Sequence, residues 1–249
     1  MRSGRFGSVK WVASTGSTND DLTAIAEREP NVAEVLTADL QTTGRGRRGR
    51  TWDMTPGGGL LISFYVPWTA TESAHLVPTA LGVAAVDAVG RLGRPIGLKW
   101  PNDLVVADGR KLGGMLGNTV WVDGALSGVV VGLGCNVSWP PEGEDGLEQA
   151  ISLDRLGPEP IDRTQFATEL ISFFDSELDR LSTSSVSLLH DRYRDRCFTL
   201  GKSVRIEGTS GGHVTGVATD IDPSGALLVD VDGVQRRVDV GDVVHLRPA

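Results

Sequence analysis

The sequence predicts an α+β protein, a mixed and largely antiparallel sheet flanked by helices and followed by a small C-terminal β-barrel. Three observations carry this. Asp108-Gly109 and Asp123-Gly124 each lie between apolar runs, the mark of tight hairpins, so residues 96–136 read as a meander and not as a doubly wound parallel sheet. Val77, Leu81, Ala84, Ala88 and Leu92 recur at helical spacing. From Leu200 the period becomes alternation: Val204, Ile206, Val214, Val217, Ile221, Leu227, Val229, Val231, Val238, Val240 and Val244 are separated by polar residues and by turns at Gly211-Gly212, Asp222–Gly225 and Asp232-Gly233. Short strands and tight turns of this kind suit a small barrel, which divides the chain into 1–198 and 199–249.

Along the chain, Ser17 or Thr18 is placed to cap a helix with Asp20 and Asp21 in its first turn and Leu22, Ile25 and Ala26 on its apolar face. Val35 to Ala38 reads as a strand delivering Gln41 to its end. Leu60 to Val66 is apolar at nearly every position and so reads as a strand buried on both faces. The helix from Ser73 ends at Gly93 and Pro95. A strand over Ile96–Trp100 is broken by Pro101-Asn102-Asp103 and resumes at Leu104–Val106. Lys111–Gly117 returns, and Val120–Val122 pairs with Val129–Val131. Asp162 caps a helix carrying Phe166, Leu170, Phe173, Phe174, Leu178 and Leu181 inward, and Ser184 or Ser185 caps a shorter one through Tyr193.

With 249 residues, 40% hydrophobic and 22% charged, the chain can bury a large core. A net charge of -8 repels nucleic acid and anionic membranes. Cys135 and Cys197 are far apart in sequence and lack metal-ligand spacing, so both read as core thiols of a reducing compartment. No apolar run reaches the length of a signal core or a membrane span, which makes the cytoplasm the expected location.

Against that acidic background, Gly44-Arg45-Gly46-Arg47-Arg48-Gly49-Arg50 is a local cationic exception, followed by Trp52 and Gly57-Gly58-Gly59. Arginines fork onto phosphate or carboxylate oxygens, and exposed backbone N–H groups form anion-binding concavities. Alone, the stretch is equally a solvated turn or an Arg-Gly segment that binds RNA. Ser17-Thr18-Asn19, Gln41–Arg50, Lys99–Gly114 and Gly132–Asn136 share one character, however. Each places polar groups or glycines at the end of an apolar strand or the start of a helix, where sites are built on rigid elements.

Together these segments closely resemble biotin protein ligases: the Ser-Thr-Asn triplet, the Gly-Arg-Gly-Arg-Arg-Gly loop with its Trp, Lys99-Trp-Pro-Asn-Asp103, Arg110-Lys-Leu-Gly-Gly114 and the Gly-x-Gly-x-Asn of 132–136. The resemblance runs from about Trp11 to the C-terminus. It implies a class II synthetase-like catalytic domain that activates biotin with ATP and Mg²⁺ to biotinyl-adenylate and transfers biotin to a lysine of a biotin carboxyl carrier domain. By resemblance, Ser17, Thr18, Asn19 and Gln41 hold the ureido ring, with Gly113 and Gly114 as floor. Arg45, Gly46 and Arg47 bracket the biotin carboxylate and phosphate, and Lys111 bridges the two. Arg47 and Lys111 are the expected catalytic pair. Arg48, Trp52, Lys99, Asn102, Asp103, Gly132, Gly134 and Asn136 are expected at the nucleotide, with Trp52 stacked on adenine. Residues 44–59 are expected to form a lid, loosely shaped until it closes over the adenylate.

Thr43 and Gly114 stand where alanine is usual in the family, and Ile151-Ser152-Leu153 replaces Thr-Ser-Leu. No winged helix precedes Trp11, so the expectation is the monofunctional type with no DNA partner, as monomer or homodimer. Two alternatives stay open at this point. One is a lipoate or octanoate ligase or transferase of the same fold, and the other is a nucleic-acid-binding module using the arginine loop.

Overall fold

The computed structural model describes residues 4–183, 186–207, 212–239 and 241–245. A seven-stranded sheet is built from β1 (Val9–Thr15), β2 (Glu34–Gln41), β3 (Gly59–Pro67), β4 (Gly97–Lys99), β5 (Asp103–Val105), β6 (Lys111–Val122) and β7 (Ala125–Asn136). Its order is β1-β2-β3-β7-β6-β5-β4. Only β1 and β2 run parallel among these pairs. The meander expected from the two Asp-Gly turns is therefore present, with Asp123 and Gly124 both at positive φ (51° and 80°) between β6 and β7.

β3 is the buried spine of the sheet, with Leu60, Ile62, Phe64 and Val66 all at 1% exposure or less. On one face lies α2 (Leu76–Arg91), which buries Val77, Leu81, Ala84 and Ala88 as its periodicity required. α3 (Arg163–Thr183) packs beside it, capped by Asp162, whose carboxylate accepts the N–H groups of Thr164 and Gln165. α1 (Thr18–Ala26) covers a smaller patch on the other face through Leu22 and Ala26, against Leu36, Tyr65 and Val130. Its N-cap is Ser17, which accepts the Asp20 N–H. α4 (Val186–Arg196) follows, and the Ser184 or Ser185 cap lies outside the described residues.

The C-terminal strands β8 (Ser203–Glu207), β9 (His213–Ile221), β10 (Leu227–Val231), β11 (Val234–Val238) and β12 (Asp242–His245) form an antiparallel sheet of order β11-β10-β9-β8-β12. This corrects the expected barrel: among the described residues the sheet is open, with β11 and β12 as its two edges. Closure would require β11 to pair with β12, yet β11 pairs with β10 and β12 with β8, at opposite ends of the sheet. Alternating apolar residues report one buried face, and an open sheet packed on a neighbour satisfies that as well as a barrel does. Val204, Ile206, Ala218, Leu227 and Val229 join the core that β3 and α2 share. Gly211 and Val240 lie outside the described residues.

Two further readings change. β4 does not resume as β5 after Pro101. The chain reverses, pairing Gly97 with Val105 and Lys99 with Asp103, and this turn brings Asn102 and Asp103 to the wall of a cavity. β1 has no counterpart in the sequence reading because it is an edge strand, mostly exposed, with no apolar stripe to announce it.

Candidate active site

A cavity of about 460 Å³ opens where the ends of β2, β3, β6 and β7 meet the first turn of α1, the arginine loop and β12. The chain delivers polar groups to it from rigid elements. The N-cap at Ser17 places Ser17, Thr18 and Asn19 at one end, each less than a tenth exposed. Gln41 arrives on the last residue of β2, its Oε1 accepting the Thr18 N–H at 2.8 Å. Thr18 Oγ1 lies 2.6 Å from Ser63 Oγ, and Asn19 Nδ2 donates to the Leu116 carbonyl at 3.0 Å.

The arginine loop has a definite shape here. Its ends are joined by an Arg45–Thr51 bridge, Gly46 N–H donates to the Arg50 carbonyl, and Trp52 N–H donates to the Gly44 carbonyl. A side chain at 44 would collide with the Trp52 carbonyl, which explains the first glycine of the motif. Arg45 pairs with Asp20 at 3.0 Å, and Arg47 Nη1 donates to Asn102 Oδ1 at 3.1 Å. Arg48 and Arg50 both pair with Asp242 at the start of β12, and Arg50 and Asp242 line the cavity.

Lys111, the first residue of β6, reaches Asp103 Oδ1 at 2.7 Å and lies 5.5 Å from the centre of the Trp52 ring. Trp52 itself rests on Gly134, where an added Cβ would come 2.6 Å from Nε1. Burial pushes the pKa of Lys99 down, opposed by Asp103 and reinforced by Lys111. Burial likewise lowers that of Arg47 against the pull of Asp242. Five cationic side chains, Arg45, Arg47, Arg50, Lys99 and Lys111, thus line one cavity where Asp20, Asp103 and Asp242 only partly offset them, an arrangement suited to more than one anionic group.

Of the residues expected from sequence, Ser17, Thr18, Asn19, Gln41, Arg45, Gly46, Arg47, Trp52, Lys99, Asn102, Asp103, Lys111, Gly114, Gly132 and Gly134 all line this cavity. Three do not. Arg48 donates to Asp242 and to the Glu207 carbonyl. Gly113 faces β7 on the core side, where a Cβ would meet the Gly134 carbonyl at 2.6 Å. Asn136 is buried, donating to the Ile151 carbonyl while its Oδ1 has no partner. The sequence reading missed Ser63, Asp20 and Asp242. Ser63 carried a signal, being the one residue in Leu60–Val66 that is neither apolar nor aromatic; Asp242 carried none, since it comes from the second sheet.

An α+β scaffold that gathers buried neutral polar groups and a cationic loop into one cavity defines a small-molecule binding site suited to anionic groups. Residues 11–136 match the model of the Biotin/lipoate A/B protein ligase family, and residues 199–246 match that of the Biotin protein ligase C terminal domain. The chain belongs to the biotin protein ligase family. It is 39% identical over 95% of its length to a biotin–[acetyl-CoA-carboxylase] ligase of Mycobacterium tuberculosis, covering 88% of that protein. It is 29% identical to one of Paracoccus denitrificans, over 88% of this chain and 92% of that protein. A biotin protein ligase from Aquifex aeolicus solved with biotin and ATP superimposes with a TM-score of 0.81 at 25% identity, over 96% of this chain and 99% of that one.

Proposed function

We propose that this chain is a biotin–[acetyl-CoA-carboxylase] ligase, which activates biotin with ATP to biotinyl-5'-AMP and transfers the biotinyl group to a lysine of the carboxylase's carrier domain. The observation that carries this is the mixed lining of one cavity: the neutral hydrogen-bonding groups of Ser17, Thr18, Asn19 and Gln41 together with the cations Arg45, Arg47, Lys99 and Lys111. A cyclic urea and a carboxylate on one small molecule match that pairing of neutral and cationic groups. The relatives' names and the ligands of the Aquifex structure support it.

In the first step a biotin carboxylate oxygen attacks the α-phosphorus and pyrophosphate leaves. Two anions must be brought together, and cations fixed beforehand lower that cost. In this reading Lys111, which pairs with Asp103, exchanges that partner for the substrate oxygens and bridges carboxylate and phosphate, and Arg47, which donates to Asn102, steadies the phosphate. Trp52, Lys99, Asn102, Asp103, Gly132 and Gly134 are assigned to the nucleotide, with Arg48 and Asn136 as supports. Mg²⁺ enters with ATP as the substrate complex. In the second step the carrier lysine's uncharged amine attacks the acyl carbon, AMP departs with the C–O bond electrons, and the amine's proton is lost. Residues 44–59 act as the lid that keeps water from the adenylate.

Catalysis belongs to residues 1–198 with support from 199–249, and the protein works in the cytoplasm beside ATP and the carboxylase. Among the described residues no helix is long and apolar enough to cross a membrane. The test is biotin-dependent exchange of pyrophosphate into ATP, then transfer to a carrier domain detected with streptavidin. Exchange supported equally by lipoate, or absent with biotin, would overturn the assignment.

A further inference from the structure

At the polar end of the cavity three oxygen–oxygen contacts share two hydroxyl protons. Thr18 Oγ1 lies 2.9 Å from Gln41 Oε1 and 2.6 Å from Ser63 Oγ, and Ser63 Oγ lies 2.6 Å from Asn19 Oδ1. Both amides are oriented by bonds outside this set. Asn19 Nδ2 donates to the Leu116 carbonyl, which turns Oδ1 to Ser63, and Gln41 Oε1 accepts the Thr18 N–H. The two amide oxygens therefore act only as acceptors.

The two contacts at 2.6 Å are the shortest of the three and take the two protons. Asn19 Oδ1 must be served by the Ser63 hydroxyl, the only hydroxyl in the set at 2.6 Å from it. The Ser63–Thr18 contact must then hold the Thr18 proton. Nothing remains to lie between Thr18 Oγ1 and Gln41 Oε1, two acceptors 2.9 Å apart on the cavity wall. Such a pair is repulsive until a donor from outside is placed against it.

We propose that Ser63 is a positioning residue that draws the Thr18 proton inward, so that Thr18 and Gln41 together accept a ring N–H of the substrate's cyclic urea. This deepens the biotin reading and rests on it. Two independent features fit. Ser63 is fully buried, the polar exception in an apolar strand. Across the sheet its register partner is Gly132, where any Cβ would overlap Asn19 Oδ1 and approach Ser63 Oγ to 2.9 Å. The glycine makes room for this network. A dithiolane ring offers no N–H and would leave the acceptor pair facing carbon and sulfur, so Ser63 also contributes to selecting a urea over a lipoyl group.

The test is pyrophosphate exchange with biotin and with each of the two N-methylated biotins, using the wild-type chain, Ser63→Ala and Ser63→Thr. In Ser63→Ala the Thr18 proton turns to Gln41 and the acceptor pair closes. The KM for biotin should rise about ten- to a hundredfold, the range for a hydrogen bond lost in a buried site, while that for ATP stays within about threefold. Ser63→Thr keeps the hydroxyl and should restore most of the loss. The wild-type chain should reject one N-methyl biotin by a similar factor, and Ser63→Ala should distinguish that analogue from biotin less sharply.

A Ser63→Ala chain with unchanged biotin KM, or a parallel rise for ATP, overturns the proposal. If Ser63→Ala does not melt cooperatively, the wild-type chain decides alone, and acceptance of both N-methyl biotins as readily as biotin overturns it. Wild-type exchange with biotin alongside either of these results removes this inference only; no exchange with biotin removes the function and the inference together.

Discussion

Lys111 Nζ holds Asp103 Oδ1 at 2.7 Å across the paired strands β6 and β5, in a cavity lined by four other cationic side chains. The pair is more than a third exposed on the lysine side, so its direct contribution to stability is small. Its importance is positional, because Asp103 fixes the ammonium beside Trp52 before any substrate arrives.

Lys111→Ala should therefore separate folding from chemistry. Stability should change by no more than about 1 kcal/mol. Biotin-dependent exchange should fall by roughly a hundred- to a thousandfold, the cost of removing one group preorganised toward developing charge. Chemical denaturation beside exchange kinetics measures both. Near wild-type exchange would remove Lys111 from the mechanism.

Asp242 predicts a second separation. It receives Arg48 at 3.2 Å and Arg50 at 2.9 Å, so one carboxylate of the C-terminal sheet holds the loop that carries Arg45 and Arg47. Asp242→Asn leaves both strands and core intact but loses two ion pairs. Trypsin should then cut within 45–50 faster, on the order of tenfold if about 1.4 kcal/mol of restraint is lost. Unchanged cutting would show that the loop's own hairpin bonds suffice to hold it.

How far the sequence could lead is clear from these residues. The meander was legible because Asp-Gly turns and unbroken apolar strands are local signals, and Lys111 because its motif is contiguous with Gly114. Ser63 was visible only as a blemish in an apolar run, meaningful once Gly132 and Asn19 surround it. Asp242 could not be read at all, since its relation to Arg48 spans 194 positions and depends on how the second sheet packs. The barrel expectation failed for a related reason, as alternation reports a buried face and says nothing about which edges meet.

Gly134→Ala tests the seat of Trp52. A methyl group there would stand 2.6 Å from the indole nitrogen and must push the ring away, toward or past Lys111. Overpacking of this kind costs about 1–3 kcal/mol, so the KM for ATP should rise about tenfold or more. The polar pocket around Gln41 is not touched, and biotin binding by calorimetry should be preserved. Equal loss of both ligands would argue that Gly134 matters for the sheet and not for the indole.

The turn after β9 gives a prediction in pH. Burial acts to raise the pKa of Asp222, but hydrogen bonds from Ser224, from Arg237 and from the backbone N–H groups of Ala226 and Ser224 outweigh it and hold the carboxyl well below its ordinary value of 3.8. A depressed carboxylate contributes stability that is complete above the unfolded value and is lost as pH falls toward the folded one, because the unfolded chain then binds the extra proton. The wild-type chain should lose this contribution progressively below about pH 4, and Asp222→Asn, already less stable at neutral pH, should lose less over the same interval. The same turn offers the Gly225 carbonyl to Trp100 Nε1 at 2.9 Å, so its release loosens the β4–β5 turn that aims Asn102 and Asp103 at the cavity. Melting temperatures of both chains at pH 7, 4 and 3 decide it: parallel declines would show that Asp222 does not titrate with unfolding. A steeper decline in the wild type, with exchange activity lost before the main transition, is the expected result.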